Sequence, residues 1–234
     1  MTTADRLKLV GFLLGISPVL AVASLIVFLV LARVLRIAVR RGQLGVSPLL
    51  FTARVLDVPV SFGLFPISSY IQPFPGPLDD PDEVPADAEL AARLASGAVR
   101  RYTQVPAAAR FLLAGSPTLL ALLLALILTG PLPTLELTKR DLGHILGGVL
   151  GPFSTAHDSL EHAARLLQCG ALPFARRFAP TLLASNVLIT LASFVPKLVR
   201  DPLRGAKLAA FGMLVWMIIG VTWLVAIVTW IAAG

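Results

Sequence analysis

The sequence predicts an α-helical integral membrane protein with about four transmembrane helices and a β-hairpin and loop inserted after the first of them. Three observations carry that reading. Hydrophobic residues make up 56% of the 234 positions and charged residues only 14%, an apolar excess beyond that of an ordinary globular domain. Residues 9–32, 111–135, 178–196 and 208–234 contain no Asp, Glu, Lys or Arg. Each stretch supplies the roughly 20 apolar residues that cross a bilayer as a helix, the conformation that satisfies its own backbone polar groups in lipid.

The spans are placed near 9–32, 111–131, 178–196 and 208–232. The first is longer than the apolar core of a cleaved signal peptide and is followed by Arg33, Arg36, Arg40 and Arg41, a stop-transfer arrangement. Lys and Arg number two in residues 1–8, nine in 33–110, five in 136–177 and four in 197–207. The positive-inside rule therefore puts 33–110 and 197–207 in the cytoplasm and both termini outside, and the expected location is a bacterial inner membrane. The same rule accounts for the pI of about 10.5: the arginines set topology against anionic headgroups, and no nucleic-acid partner is implied.

The first cytoplasmic loop divides into three parts. In residues 45–75, Val58, Val60, Phe62 and Leu64 alternate at period two, which predicts a strand with one apolar face. The preceding LLFTARVL can pair with it through a tight turn near Asp57, giving a hairpin. Residues 76–86 are acidic and proline-rich and predict an irregular loop. Residues 87–102 place Leu90, Leu94 and Val99 near helical spacing with Arg93, Arg100 and Arg101 between them, an amphipathic helix. The outward segment 136–177 opens with glycine-broken apolar sequence and continues as a helical pattern through Leu160, Ala163, Leu166 and Leu167.

Residues with chemistry are few. His157 and His162 are five apart and do not share one helical face, and His144 is isolated. Cys169, the one cysteine, excludes an intramolecular disulfide. Ser68 and Ser69 form a pair with no base nearby in sequence. Asn186 is an amide near the middle of the third span, where lipid demands a polar partner: a neighbouring helix or a ligand. Gly115, Ser116, Ala184, Ser185 and Gly220 are small enough to let helices approach closely.

The order of these pieces, over residues 10–205, resembles the site-2 protease family of intramembrane zinc metalloproteases. FGLFPISSYIQPFPG is similar to the family's LPLGGYV-like loop, with Ser68 and Ser69 at the two glycine positions. RFLLAGSPTLLALLLALIL is similar to its AGPLAN-like opening of a span, and GGVLGPFSTAHDSLEHAARLLQCG to its segment before the third span. SNVLITLASFVPKLVRDPLRG resembles its NxxPxPxLDGG-like motif, which places Asp201 at the zinc-binding aspartate and Pro196 at the first proline. The HExxH position falls in LARVLRI, residues 31–37, which contain neither His nor Glu. Ser193 stands for the motif's asparagine, and Pro202 and Leu203 stand for its glycines.

The resemblance implies a membrane-embedded scaffold that has lost its zinc, with Asp201 the one position matching a family metal ligand. The expected function is that of a pseudoprotease, binding a transmembrane or extended-peptide partner without cleaving it and using no cofactor. Its partner-facing residues are expected at Phe62, Leu64, Pro66, Ser68, Ser69, Tyr70 and Asn186, with membrane lipid around the spans. Two other classes remain as alternatives: an active protease using Ser68, Ser69 or a rebuilt site of His144, His157 and Asp201, and a small transport or channel component.

Overall fold

The structure, a computed structural model, describes residues 2–75, 83–150, 153–198 and 202–233, apart from some side chains within its helices and strands. In chain order the elements are α1 (Thr3–Val34), β1 (Val39–Val55), β2 (Val58–Pro73), α2 (Ala88–Ala95), a 3-10 turn (Tyr102–Gln104), α3 (Ala107–Ala114), α4 (Ser116–Thr129), α5 (Pro131–Leu150), α6 (Phe153–Gln168), α7 (Ala171–Leu198) and α8 (Pro202–Ala232). The chain forms two compact units, Leu13–Leu120 and the combination of Met1–Phe12 with Ala121–Gly234.

In the first of these units, Ala21, Leu25, Leu29 and Ala32 recur every three or four residues along α1 and so share one face. They are buried in one core with Val39, Leu44, Val58 and Val60 of the hairpin and with Val105 and Leu113. The other face of α1 carries Val19, Val22, Ile26 and Val30, exposed by 41% to 64%. That division suits a helix with a protein face and a lipid face. A second core gathers Ala38, Phe74, Leu90 and Val99. Above it Phe74 is fully buried, with the guanidinium groups of Arg40 and Arg101 lying 5.1 and 5.7 Å from its ring. Arg40 also pairs with Glu83 at 2.7 Å.

The amphipathic helix expected over 87–102 is shorter. Asp87 caps α2 by accepting from the amides of Glu89 and Leu90, and the helix ends at Ala95 because Gly97 turns the backbone left-handed at φ 72°. Beyond it the chain runs extended. Arg100 N–H donates to the Arg36 carbonyl and Ala38 N–H to the Arg100 carbonyl, at 2.7 and 2.9 Å, so this segment lines the edge of the sheet as a one-bridge extension at Ile37.

The expected second span is divided. Residues 111–135 fall across three helices: α3 and α4 meet at Gly115 with a 62° bend, and Gly130, at φ 83°, stops α4 before Pro131 opens α5. With 14 residues, α4 is about 21 Å long at 1.5 Å per residue, short of the roughly 30 Å of hydrocarbon. Among the described residues α1 alone is long and apolar enough to cross a membrane, or α1 and the bent α3–α4 pair if that pair is one broken span. Four transmembrane helices are thus more than the structure establishes; α7 and α8 contain the third and fourth apolar stretches.

In the remaining unit, α6 carries the helical pattern expected through Leu160, Ala163, Leu166 and Leu167, and the stretch expected to be broken by glycines is also helix, α5. The glycines of α5 do not break it, since a helix packed on neighbours tolerates the roughly 1 kcal/mol propensity penalty of glycine. Within α6, Arg165 donates to Glu161 one turn earlier at 2.8 Å. That hydrogen bond, with the arginine's charge, holds the Glu161 carboxyl below its ordinary value. Ala121 and Ala125 of α4 are buried in one apolar cluster with Ala179 and Leu183 of α7. Ala184 is fully buried, whereas Gly220 is exposed.

One buried ion pair joins α5 to α7. Asp141 is 2% exposed. It accepts two hydrogen bonds from the forked guanidinium of Arg177 and a third from the Thr181 hydroxyl at 2.7 Å. Leaving one partner of such a pair buried alone costs about 3–5 kcal/mol. Arg177→Ala should therefore lower the thermal unfolding midpoint of the protein in detergent by a loss of that order. An unchanged midpoint would show that Asp141 is not held as described.

Candidate functional site: the curled hairpin

Leu56 and Asp57 both take positive φ, 50° and 66°, and Val55 pairs with Val58 across them. Two consecutive left-handed residues make the tight turn whose twist matches that of the flanking strands, at the position the sequence indicated. From the turn, Val55, Ala53 and Phe51 pair with Val58, Val60 and Phe62 in an antiparallel ladder.

Farther from the turn the ribbon folds over. Gly42, Gln43 and Leu44 pair with Ile71, Tyr70 and Ser69, and the same three residues also lie beside Val60, Ser61 and Phe62. Residues 42–44 are therefore internal, and the run of β1 from 49 to 55 is left on an outer edge. The fold-over needs backbones in close contact. At Gly63 an added Cβ would fall inside the contact distance of the Val46 carbonyl, and at Gly42 it would come 3.1 Å from Val60. This curl also explains why the period-two face of β2 changes character along its length: Val58 and Val60 are buried, Phe62 is half-buried, and Leu64 is exposed.

The result is a lopsided ribbon. Of β1, residues 46–54 are exposed without interruption, nine in a row. Leu49, Leu50 and Phe51 are exposed by 51% to 58%, and Leu64 and Phe65 of β2 by 49% and 54%. Such a cluster of large apolar side chains marks a surface for protein or lipid rather than for water. Phe51 and Phe62 stack at 4.7 Å, so part of the surface is preorganised by its own aromatic contact.

The residues expected to face a partner fall as follows. Phe62, Leu64, Ser68, Ser69 and Tyr70 are all on β2, with Ser68 exposed and Ser69 half-buried. Tyr70 donates its hydroxyl proton to Gln43 at 2.9 Å. Pro66 is in β2, with its side chain outside the described residues. Asn186 is in the other unit, in α7, where its amide donates to the Leu182 carbonyl one turn earlier at 2.8 Å. Among the described residues neither Ser68 nor Ser69 has a hydrogen-bonded acid or base, so nothing there activates a hydroxyl as a nucleophile.

Residues 31–37, at the HExxH position of the resemblance, end α1 and lead into β1. Arg33 lies 3.6 Å from Asp57 at the hairpin turn, both half-exposed or more, and Arg36 takes a left-handed φ of 53°. Guanidinium groups offer no lone pair to zinc and repel it, so the side chains at this place do not fit the metal. Among the described residues no three His, Cys, Asp or Glu side chains lie close enough to hold a metal ion. Asp201 and the side chains of Ser193, Pro196 and His144 lie outside the described residues. His157 is hydrogen-bonded to Thr229 of α8 at 3.0 Å, in a different unit from the hairpin.

Burial raises the Tyr102 phenol above its ordinary value, opposed by the Arg110 guanidinium, which lies 5.8 Å from its ring. That hydroxyl is neutral at physiological pH. It closes the core beneath the hairpin rather than contributing chemistry.

Sequence reasoning missed two features of this unit and one of the other. Residues 49–54 pair with β2 as the sequence predicts, but the exposure of their outer edge has no local sequence signal. The fold-over escaped notice because it depends on tertiary contact, although Gly42, Gly45 and Gly63 hinted at it. The Asp141–Arg177 pair was hidden because both residues stand in a stretch read as a loop; the helical spacing of Leu137, Asp141 and Ile145 was the available signal. No family model, curated protein or solved structure matches the chain.

A methyl at position 63 meets backbone, which cannot rotate away, so Gly63→Ala should destabilise the folded ribbon by about 1–3 kcal/mol. Limited trypsin digestion at Arg54 should accelerate in that variant; an unchanged rate would mean the ribbon does not cross at Gly63. Arg33→Ala, by contrast, removes only an exposed pair worth about 0–1 kcal/mol and should leave the rate of cleavage at Arg54 unchanged.

Proposed function

We propose that the chain is a catalytically inactive, site-2-protease-like membrane protein that holds an extended peptide or the unwound end of a transmembrane helix against its hairpin without cleaving it. The observation that carries this reading is the outer edge of β1 at 49–55, an apolar strand edge with nothing paired to it among the described residues. Natural proteins protect such edges with charge, proline or a covering element, because an open edge templates another strand. Here Pro48 stands at one end and Arg54, tied to Asp87 and Glu89, at the other, but Leu49, Leu50 and Phe51 between them are apolar and exposed. An extended segment added to this edge gains main-chain hydrogen bonds, and alternate side chains gain apolar contact.

Catalysis is disfavoured by residue chemistry. Arg33 and Arg36 stand where the family resemblance expects ligands and a general base, and neither can hold zinc or deprotonate its water. The hydroxyl groups on the hairpin are Ser47, Thr52, Ser61, Ser68, Ser69 and Tyr70, and among the described residues none is hydrogen-bonded to an imidazole or carboxylate that would make it a nucleophile.

The purified full chain should bind a fluorescent model transmembrane peptide with an extended juxtamembrane tail, leave it intact with zinc supplied, and lose at least tenfold in affinity on Leu50→Lys with Phe51→Lys. Stoichiometric zinc retention or metal-dependent cleavage would overturn the inactive assignment. Unchanged affinity in the double variant would overturn the assignment of the edge.

A further inference from the structure

A groove of about 440 Å³ opens where α4 ends and α5 and α7 begin, lined by Leu128, Thr129, Leu137, Pro173, Arg176 and Arg177 among others. Its size is that of a small-ligand site, and its charge is unequal. The Arg177 guanidinium is neutralised by Asp141, which grips it through two parallel hydrogen bonds and is steadied in turn by Thr181. That grip uses two of five guanidinium N–H donors; with the Nε sealed from solvent and the side chain 22% exposed, the second N–H of each terminal nitrogen is what remains for the groove. Arg176, beside it and exposed, has no ion-pair partner among the described residues. The groove therefore offers the remaining N–H donors of one fixed, charge-balanced guanidinium and, at Arg176, a cation with no ion-pair partner among the described residues, a set complementary to a monoanion with several acceptor oxygens.

The surroundings say where the anion comes from. Ile127, Leu132, Leu135 and Leu172, on the same helix ends, are exposed by 53% to 78%. A free inorganic anion leaves such side chains in water, whereas an anion carrying acyl chains covers them. We propose that this groove seats the phosphodiester of an anionic phospholipid, with Arg176 supplying the neutralising charge, Arg177 the oriented donors, and the apolar rim the contact for the chains. This rests on the chain lying in a bilayer and not on the hairpin's role, so the two readings fail separately.

The full chain in detergent should be titrated by native mass spectrometry with phosphatidylglycerol and with phosphatidylcholine, and its thermal unfolding followed with each lipid and with inorganic phosphate. Phosphatidylglycerol should be retained at least tenfold more strongly than phosphatidylcholine and should raise the unfolding midpoint. Arg176→Gln, which keeps the Asp141–Arg177 pair, should abolish that preference with the circular dichroism spectrum and the midpoint in phosphatidylcholine unchanged. Equal retention of the two lipids, a preference surviving in Arg176→Gln, or equal stabilisation by inorganic phosphate would each overturn the proposal.

Discussion

Residues 42–44 are flanked on both sides, by 69–71 and by 60–62, and the exposed apolar edge of the hairpin depends on that double pairing. A simple hairpin leaves each strand with one free edge along its whole length. Folding the ribbon over moves the edge of residues 42–44 inside, where Leu44 joins Leu25 and Leu29 of α1 in the core. It pushes the distal run of β1 outward, with its apolar side chains uncovered. The small residues Gly42 and Gly63 are the geometric condition for this arrangement, since each stands where a neighbour approaches within contact distance of the missing Cβ.

Two cationic clusters among the described residues serve different ends. Near the hairpin, Arg40 and Arg101 flank a buried Phe74 ring, and Arg54 reaches the carboxylates of Asp87 and Glu89. These guanidinium groups tie the loop and α2 to the sheet through their planar, multidentate geometry. In the other unit Arg177 is locked by a buried carboxylate, while Arg176 has no ion-pair partner among the described residues. A chain with 20 basic and 13 acidic residues has cations to spare, and their placement decides which are structural and which can meet an anion.

Much of the hairpin was legible in the sequence. Period-two alternation from Val58 to Leu64 and the turn at Asp57 are local signals, and so is the Asp87 cap of α2. The face of α1 was also readable as an apolar run, although not its division into a buried stripe and an exposed one. What could not be read required tertiary information: the bend at Gly115, the conversion of a glycine-rich stretch into α5, and the fold-over of β1. The length of an apolar run measures hydrophobicity, not straightness, which is why residues 111–135 suggested one span and form parts of three helices. For the site, the strand expected at Val58 to Leu64 runs on through Ser68, Ser69 and Tyr70, which the sequence places in a loop, and the most exposed apolar side chains described on the hairpin are Leu50 and Phe51 of the partner strand. A strand that is apolar on both faces gives no periodic signal to separate a buried core strand from an uncovered edge.

The central claim is that the edge of β1 receives an extended segment, and amide hydrogen exchange measures that edge directly. The amides of residues 49–54 that point away from β2 should exchange rapidly in the free protein in nanodiscs and slow by at least tenfold when the transmembrane peptide with its extended tail is added, while those of residues 42–44 stay protected in both states. Exchange at 49–54 that is unchanged by the peptide, with protection appearing elsewhere, would contradict the account.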